Sequence, residues 1–199
     1  LAPVEYYSVF FRASSTVIEV HENYQKQSYR NRCNIVGANG SMALSIPVEK
    51  PSEVKCRMKD VRIADHGNWR HLHWNAIVSA YSSTPFFEYY ADGLEKVLYK
   101  RFDFLYDLNR ELLSLCLKWL RWSTHVRESL SYEENVKENI QDIRSLINPK
   151  KADILENFFN PSPYVQVFGN DFVSNLSIID LIFCEGPEAT RRIQASVRN

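Results

Sequence analysis

The order of the apolar segments constrains the fold of this 199-residue chain more than any other feature. Short strand-like segments occur mainly before residue 65, and long segments with helical spacing fill most of the remainder. Asn39-Gly40 separates two strand-like segments, Cys33–Gly37 and Met42–Val48, and both residues of such a pair tolerate the positive φ of a hairpin turn. The sequence therefore predicts an α/β fold, with mixed α+β as the alternative, in which helices cover a small mixed sheet formed mainly by the N-terminal third.

Apolar residues at helical spacing predict a series of helices after residue 68. Asn68 is placed to cap the first, which continues to about Ala80. The next begins at Thr84-Pro85, in the usual order of cap and first-turn proline, and Asp92-Gly93 could interrupt it. The remaining predicted strands are Val17–Val20, Val61–Ala64 and Tyr164–Phe168. The remaining predicted helices are a short buried one within Leu1–Ser15, Phe102–Leu120, Ser131–Asn148 (with Ser131 and Glu134 as a capping box), Leu176–Cys184 and a last helix that starts at Pro187. Ser174 or Asn175 is expected to cap the helix at Leu176–Cys184, and Gly186 to end it.

Composition and charge limit the classes of function. An apolar fraction of 45% and a length of 199 residues fit a single domain, residues 1–199, with a large core. The formal net charge is zero, which disfavours binding to nucleic acid, although a local basic cluster exists. No window approaches the roughly 20 apolar residues that a membrane span requires. The basic cluster consists of Lys55, Arg57, Lys59 and Arg62.

The four cysteines carry no recognisable pairing or metal-binding pattern. Cys33, Cys56, Cys116 and Cys184 lack CxxC spacing. A core of this size does not require disulfides, so we expect reduced thiols and a cytoplasmic location. No signal peptide is visible, and the chain begins at Leu1.

A dense run of polar side chains occupies residues 21–32. Lys26, Arg30 and Arg32 fall on alternating positions, so in an extended segment they would project to one face and bind phosphate or carboxylate. Asn31 would point the other way and bond either backbone or ligand. The alternative is a solvated surface segment whose arginines form structural ion pairs.

A second polar run, residues 65–75, contains the best general-base candidate. His73 shares a helix face with Trp69 and Tyr81, and an unperturbed imidazole titrates near neutrality. The alternative is a core histidine with satisfied hydrogen bonds. His71 and His73 do not have the i, i+4 spacing of a helical zinc pair. We therefore predict neither a metal nor a cofactor.

Asp180 stands out because it lies in the apolar run Leu176–Phe183. A carboxylate in such surroundings must be paired, and the sequence predicts an ion pair with one of the arginines of residues 21–32. Ser177 is expected to form hydrogen bonds at the start of this helix rather than to act as a nucleophile, since no GxSxG motif surrounds it.

Three blocks in this order resemble the WbqC-like family. They are Lys26-x-Ser28-Tyr29-x-Asn31-Arg32, Trp69-x-x-x-His73-x-x-Ala76-Ile77-x-x-Ala80-Tyr81 and Leu176-Ser177-Ile178-Ile179-Asp180-Leu181. The resemblance spans nearly the whole chain, and the sequence at residues 21–26 and 164–168 resembles the Bacteroidetes branch of the family. Many relatives carry Asp and Gln before the first block, where this chain has His21-Glu22-Asn23. A catalytic role assigned to that Asp therefore does not transfer directly to Glu22.

The resemblance implies a bacterial protein linked to surface-polysaccharide (O-antigen) biosynthesis. We expect a transferase that acts on an anionic small molecule, either a nucleotide-linked sugar or an acyl or aminoacyl donor. The alternative is a non-catalytic ligand-binding or scaffold protein of envelope biogenesis. The residues expected to form the site are His73, Glu22 and Asp180 for catalysis and Lys26, Tyr29, Arg30, Asn31, Arg32, Trp69 and Tyr81 for substrate binding.

Overall fold

The computed structural model describes residues 1–50, 55–149, 159–169 and 171–197. Helices dominate these residues, and the strands are short, so the mixed α/β class is confirmed. The helices are α1 (Val4–Arg12), α2 (Trp69–Tyr81), α3 (Phe87–Tyr99), α4 (Leu105–Trp119), α5 (Ile178–Glu185) and α6 (Ala189–Ser196), and the strands are β1 (Ser15–Ile18), β2 (Arg32–Gly37), β3 (Gly40–Ser45) and β4 (His125–Glu128).

The predicted hairpin forms between β2 and β3. Its antiparallel register runs from Arg32 opposite Ser45 to Gly37 opposite Gly40. Gly40 has a φ of +97°, a conformation that the turn requires and that glycine adopts without steric cost. Ile35 and Val36 are buried, and α2 packs against β2. The hairpin therefore holds Arg32, the first residue of β2, beside helix α2, which carries part of the second polar run.

The other strands form a separate sheet rather than joining the hairpin. β1 pairs in parallel with β4, a strand that the sequence analysis did not predict. The predicted strand at Val61–Ala64 forms only isolated bridges, of Ile63 with Val48 and of Arg62 with Phe104. The single small sheet that we expected is thus replaced by two two-stranded sheets within the described residues.

Two of the predicted helices form with changed ends. α2 begins after Asn68 as expected, but Asn68 has a left-handed φ of 47° and its side chain makes no capping hydrogen bond. α3 begins at Phe87, later than predicted, because the Thr84 hydroxyl donates to the Tyr81 carbonyl at 2.7 Å and extends the preceding turn. Gly93 does not interrupt α3; a Cβ there would lie 3.2 Å from the Trp119 ring, so glycine permits close packing of α4.

The helix predicted at Ser131–Asn148 is wrong. The described part of this segment is irregular, and Ile140 near its middle is 47% exposed. Arg144 organises the segment instead: its guanidinium donates to the Glu133 and Glu134 carbonyls at 2.8 and 3.3 Å. Those carbonyls are then bonded by Arg144 rather than by helical N–H groups, and Leu146 and Ile147 pack against the core without a helix.

The strand predicted at Tyr164–Phe168 is also wrong, because this segment is irregular and pairs with no strand in the described part of the chain. α5 follows as predicted and is buried, but Asn175 does not cap it; the Asn175 Oδ1 accepts the Glu5 N–H of α1 at 3.1 Å. Gly186 ends α5 as expected. The backbone N–H of Ser177 donates to the Asn34 carbonyl at 2.8 Å, which places the start of α5 behind the hairpin.

Candidate functional site

An open cleft lies where the hairpin approaches α2 and α4. It is shallow: the room inside it for a water-sized sphere is about 20 Å³, enough for about one or two water molecules, so a larger ligand would have to displace side chains or lie at its open side. Five residues of the predicted site line it, and no carboxylate among the described residues does. The lining residues from the predicted site are Tyr29, Arg30, Asn31, Arg32 and His73, and the others are Leu1, Cys33, Leu44, Ile46, Ile77, Leu98, Asn109 and Leu112.

Arg32 contributes a positive side-chain charge to this cleft. It is the first residue of β2, and its Nε–H donates to the Ser45 hydroxyl across the hairpin at 3.2 Å. It forms no ion pair with a residue that the structure describes. The two terminal nitrogens of the guanidinium therefore remain able to bind an anion in a bidentate manner.

Arg30 also lines the cleft, but its charge is compensated. Its guanidinium forms an ion pair with Glu22, with Nε 2.7 Å from Oε1, as the ion-pair alternative predicted. Burial raises the pKa of the Glu22 carboxyl, and Arg30 opposes this shift. Asn109, which the sequence analysis missed, donates to the Arg30 carbonyl at 2.7 Å and fixes the backbone of the cleft wall.

The polar segment is a turn rather than the extended strand that would align its cations. Gln27 has a φ of 56°, and the Ser28 hydroxyl donates to the Gln25 carbonyl at 2.7 Å. As a result Lys26 is exposed and lies outside the cleft lining. Asn31 faces the cleft, and its amide N–H donates to the Ile46 carbonyl at 3.1 Å.

His73 faces the same cleft from α2. Burial is the main cause that lowers its pKa to about 4, although a hydrogen bond to the Ser45 backbone acts in the opposite direction. The imidazole is therefore neutral at pH 7, and the Ser45 carbonyl accepts the proton of one ring nitrogen. The other ring nitrogen is left as an acceptor, which is the form that a general base requires.

We expect the depressed pKa of His73 to make the folded state less stable in acid. The unfolded imidazole titrates near 6.5 and the folded one near 4, so the unfolded chain binds the extra proton first and stability falls as the pH drops between these values. Between pH 7 and pH 5 the loss should be about 2 kcal/mol. Urea unfolding of His73→Gln should show a smaller loss over this interval.

The exposed His125 supplies the matched control for that measurement. His125→Gln should retain the pH dependence of the unmodified chain. An imidazole resonance of His73 that titrates near 6.5 in the folded protein would contradict the assignment.

Trp69 and Tyr81 do not offer the stacking surface that the sequence predicts. Tyr81 is fully buried, and its hydroxyl oxygen accepts the Val36 N–H at 3.4 Å. Trp69 is 5% exposed and contacts His73, with ring centroids 5.1 Å apart. Both rings belong to the core that supports the cleft, because neither can meet a ligand without opening that core.

Asp180 lies in a second, separate polar cluster behind the hairpin. It is completely buried, and its Oδ2 accepts the Tyr164 hydroxyl at 2.6 Å and the Gln166 amide at 3.0 Å. The predicted ion pair with an arginine is wrong: these donors are neutral, and Arg30 and Arg32 bond elsewhere. Burial raises the pKa of the Asp180 carboxyl, while the hydrogen bonds from Tyr164, Tyr81 and Gln166 oppose that shift.

The three polar blocks of the sequence therefore meet only in part. Residues 29–32 and His73 share the cleft, whereas Asp180 and Tyr81 form the buried cluster and Lys26 is outside both. Glu22 acts on the cleft through Arg30. The sequence analysis also missed Ser45, which contacts both Arg32 and His73, since only the hairpin register brings it to this position.

Other groups that could carry chemistry are few in the described ranges. None of the four cysteines forms a disulfide with another described residue. No cluster of three metal-ligating side chains occurs among the described residues. In the same part of the chain, no helix has both the length and the apolar character needed to cross a membrane.

Comparison with known proteins identifies a family for this chain. The WbqC-like protein family matches residues 2–154 and 144–192, which include the cleft and the Asp180 cluster. No curated protein and no solved structure matches the chain. Because the family match covers most of its length, the chain belongs to the WbqC-like protein family.

Proposed function

We propose that this protein is a cytoplasmic transferase of surface-polysaccharide (O-antigen type) biosynthesis. Its substrate would be an anionic small molecule, either a nucleotide-linked sugar or an acyl or aminoacyl donor. The observation that carries the proposal is the cleft itself, in which Arg32 and a neutral His73 face one space. Among the described residues, Arg32 has no ion-pair partner and no carboxylate lines this space.

Each residue of the cleft then has a separate task. Arg32 binds the anionic group of the ligand, and charge-assisted hydrogen bonds of this kind contribute about 1.5–3 kcal/mol each. His73 takes a proton from the attacking group, with its tautomer fixed by the Ser45 carbonyl. Glu22 holds Arg30 in the cleft wall, and Tyr29 and Asn31 supply polar contacts to the ligand.

Thermal unfolding against a panel of sugar nucleotides, acyl-CoA, aminoacyl donors and free nucleotides tests this proposal. A ligand present at 100 times its Kd stabilises the folded state by about 2.7 kcal/mol, which raises the Tm of a chain of this size by roughly 5–10 °C. We expect one class to give such a shift and Arg32→Gln to abolish it. Lys26→Gln, a change of an exposed cation outside the cleft lining, should keep the shift.

A flat panel with folded protein would contradict the proposal and favour the second candidate, a ligand-binding or scaffold protein of envelope biogenesis. One observation favours that candidate: a histidine with a pKa near 4 is a weak base. His73→Ala separates the two. In an enzyme, turnover should fall by about 10²–10⁴-fold with binding retained, whereas a binding protein should lose affinity or stability alone.

A further inference from the structure

Residues 130–145, which we call the strap, cross the surface with few buried side chains. From residue 130 to residue 142 every side chain except that of Val136 is exposed, including Leu130 at 96%. A hydrogen bond from the Ile140 N–H to the Lys137 carbonyl, at 2.9 Å, joins residues within the strap. Burial of apolar surface therefore contributes little to holding the strap in place.

Arg144 gives the strap its internal structure. Its Nε and one terminal nitrogen donate to the two oxygens of Asp142 at 2.9 and 2.6 Å. The same guanidinium donates to the carbonyls of Glu133 and Glu134 and lies 5.2 Å from the centre of the Tyr132 ring. One side chain thus joins the two ends of the strap.

Arg144 also ties the strap to the rest of the protein. A terminal nitrogen lies 3.8 Å from the Glu19 Oε2, and both side chains are largely buried, which limits the screening of their charges by solvent. The backbone carbonyl of Arg144 accepts a terminal nitrogen of Arg30 at 3.4 Å. Because Arg30 lines the cleft, the strap rests against the cleft wall.

The two ends of the strap are anchored without Arg144. Before it, the Ser129 N–H donates to the Ile18 carbonyl at 2.9 Å, and the Ser129 hydroxyl donates to the Glu19 Oε1 at 2.8 Å. After it, Leu146 and Ile147 pack against the core. A segment with fixed ends, little buried apolar surface and one main anchor between them can open as a unit while the remainder stays folded.

We propose that the strap is a movable element with Arg144 as its latch, and that its opening loosens the Arg30 wall of the cleft. When the strap opens, Arg30 loses the Arg144 carbonyl but keeps its ion pair with Glu22. The closed cleft has room for about one or two water molecules, so a larger ligand requires a wall to move. This opening is independent of which ligand the cleft binds and of whether a reaction follows.

Tryptic cleavage of the folded full chain after Lys137, followed by mass spectrometry, tests the latch. Lys137 is exposed, but a protease binds an extended segment, so the rate follows the population of the open strap. Arg144→Gln should raise this rate about 10-fold or more, because it removes the ion pair with Glu19 and most of the bonds within the strap. Arg110→Gln, which removes an exposed ion pair of Arg110 with Glu128, is the control and should keep the original rate.

Glu19→Gln is the second variant, in case Arg144→Gln unfolds the whole chain. A glutamine Oε1 can still accept the Ser129 hydroxyl, but the charge that faces Arg144 is lost, so cleavage after Lys137 should again be faster. Amide exchange in α2 and α4 should be unchanged in Glu19→Gln, and the Arg30 Nε–H signal should shift. An unchanged cleavage rate in Glu19→Gln, or a rise in exchange throughout α2 and α4, would overturn the latch, and an unshifted Arg30 signal would overturn its link to the cleft.

Discussion

Gly186→Ala is expected to destabilise the folded protein by about 3 kcal/mol or more. A Cβ at this position would lie 2.5 Å from the Phe86 ring, well inside any real contact distance, and the residue has a positive φ of 52° with ψ of −122°. The backbone around Phe86 cannot yield easily, because its N–H donates to the Phe183 carbonyl of α5 at 3.1 Å. Urea unfolding at neutral pH measures the loss.

Gly93→Ala is the matched control. The new Cβ would lie 3.2 Å from the Trp119 ring, but Gly93 is inside α3, where alanine is favoured over glycine by about 1 kcal/mol. The two effects should leave its stability within about 1 kcal/mol of the original. Adding Phe86→Ala to Gly186→Ala should recover the part of the loss that comes from the clash. An unchanged stability of Gly186→Ala would contradict the packing of α5 against Phe86.

Asp180→Ala is expected to cost about 3–5 kcal/mol. The change removes the acceptor of the Tyr164 hydroxyl and the Gln166 amide, which then remain unpaired beside a new cavity. Gln166 also exchanges two hydrogen bonds with the Val173 backbone, so the loss should loosen the segment that precedes α5. Asp180→Asn keeps an oxygen acceptor in place and should cost much less.

The pH dependence of these variants tests the charge state of Asp180. Burial raises the folded pKa of this carboxyl above its ordinary value, so the folded state holds the proton more tightly than the unfolded state. The contribution of this carboxyl to the free energy of unfolding is therefore present in acid and is lost as the pH rises through the folded pKa. Asp180→Asn should therefore gain stability relative to the original protein as the pH rises, in urea unfolding at several pH values. An asparagine variant as unstable as alanine at every pH would contradict this account.

The parts of the fold that follow from sequence are those with strong local signals. Asn39-Gly40 between two apolar segments was enough for the β2–β3 hairpin, and the spacing after Asn68 was enough for α2. The helix predicted after Ser131 failed although its local pattern was good. Helical stability comes mainly from tertiary packing. Here the hydrogen bonds from Arg144 to neighbouring carbonyls hold the segment in an irregular conformation instead of a helix.

The candidate site was predictable in composition but not in arrangement. The density of polar residues at 29–32 and the position of His73 on α2 both pointed to the cleft. The sequence did not reveal that Arg30 bonds Glu22 or that Asp180 bonds Tyr164, because such partners are chosen by the fold. The alternating positions alone also predicted that Lys26 would lie on the same face as Arg30 and Arg32. The turn at Gln27 instead leaves Lys26 outside the cleft lining.

NMR mapping of the bound ligand tests most directly the central claim that Arg32 and His73 form one binding site. The panel compounds would be titrated into labelled protein while the arginine Nε–H and imidazole signals are followed. The account predicts the largest shifts at Arg32 and His73, with smaller ones at the Ser45 backbone. Shifts centred on the basic cluster of Arg57 and Arg62, or none at Arg32 and His73 with any compound, would contradict it.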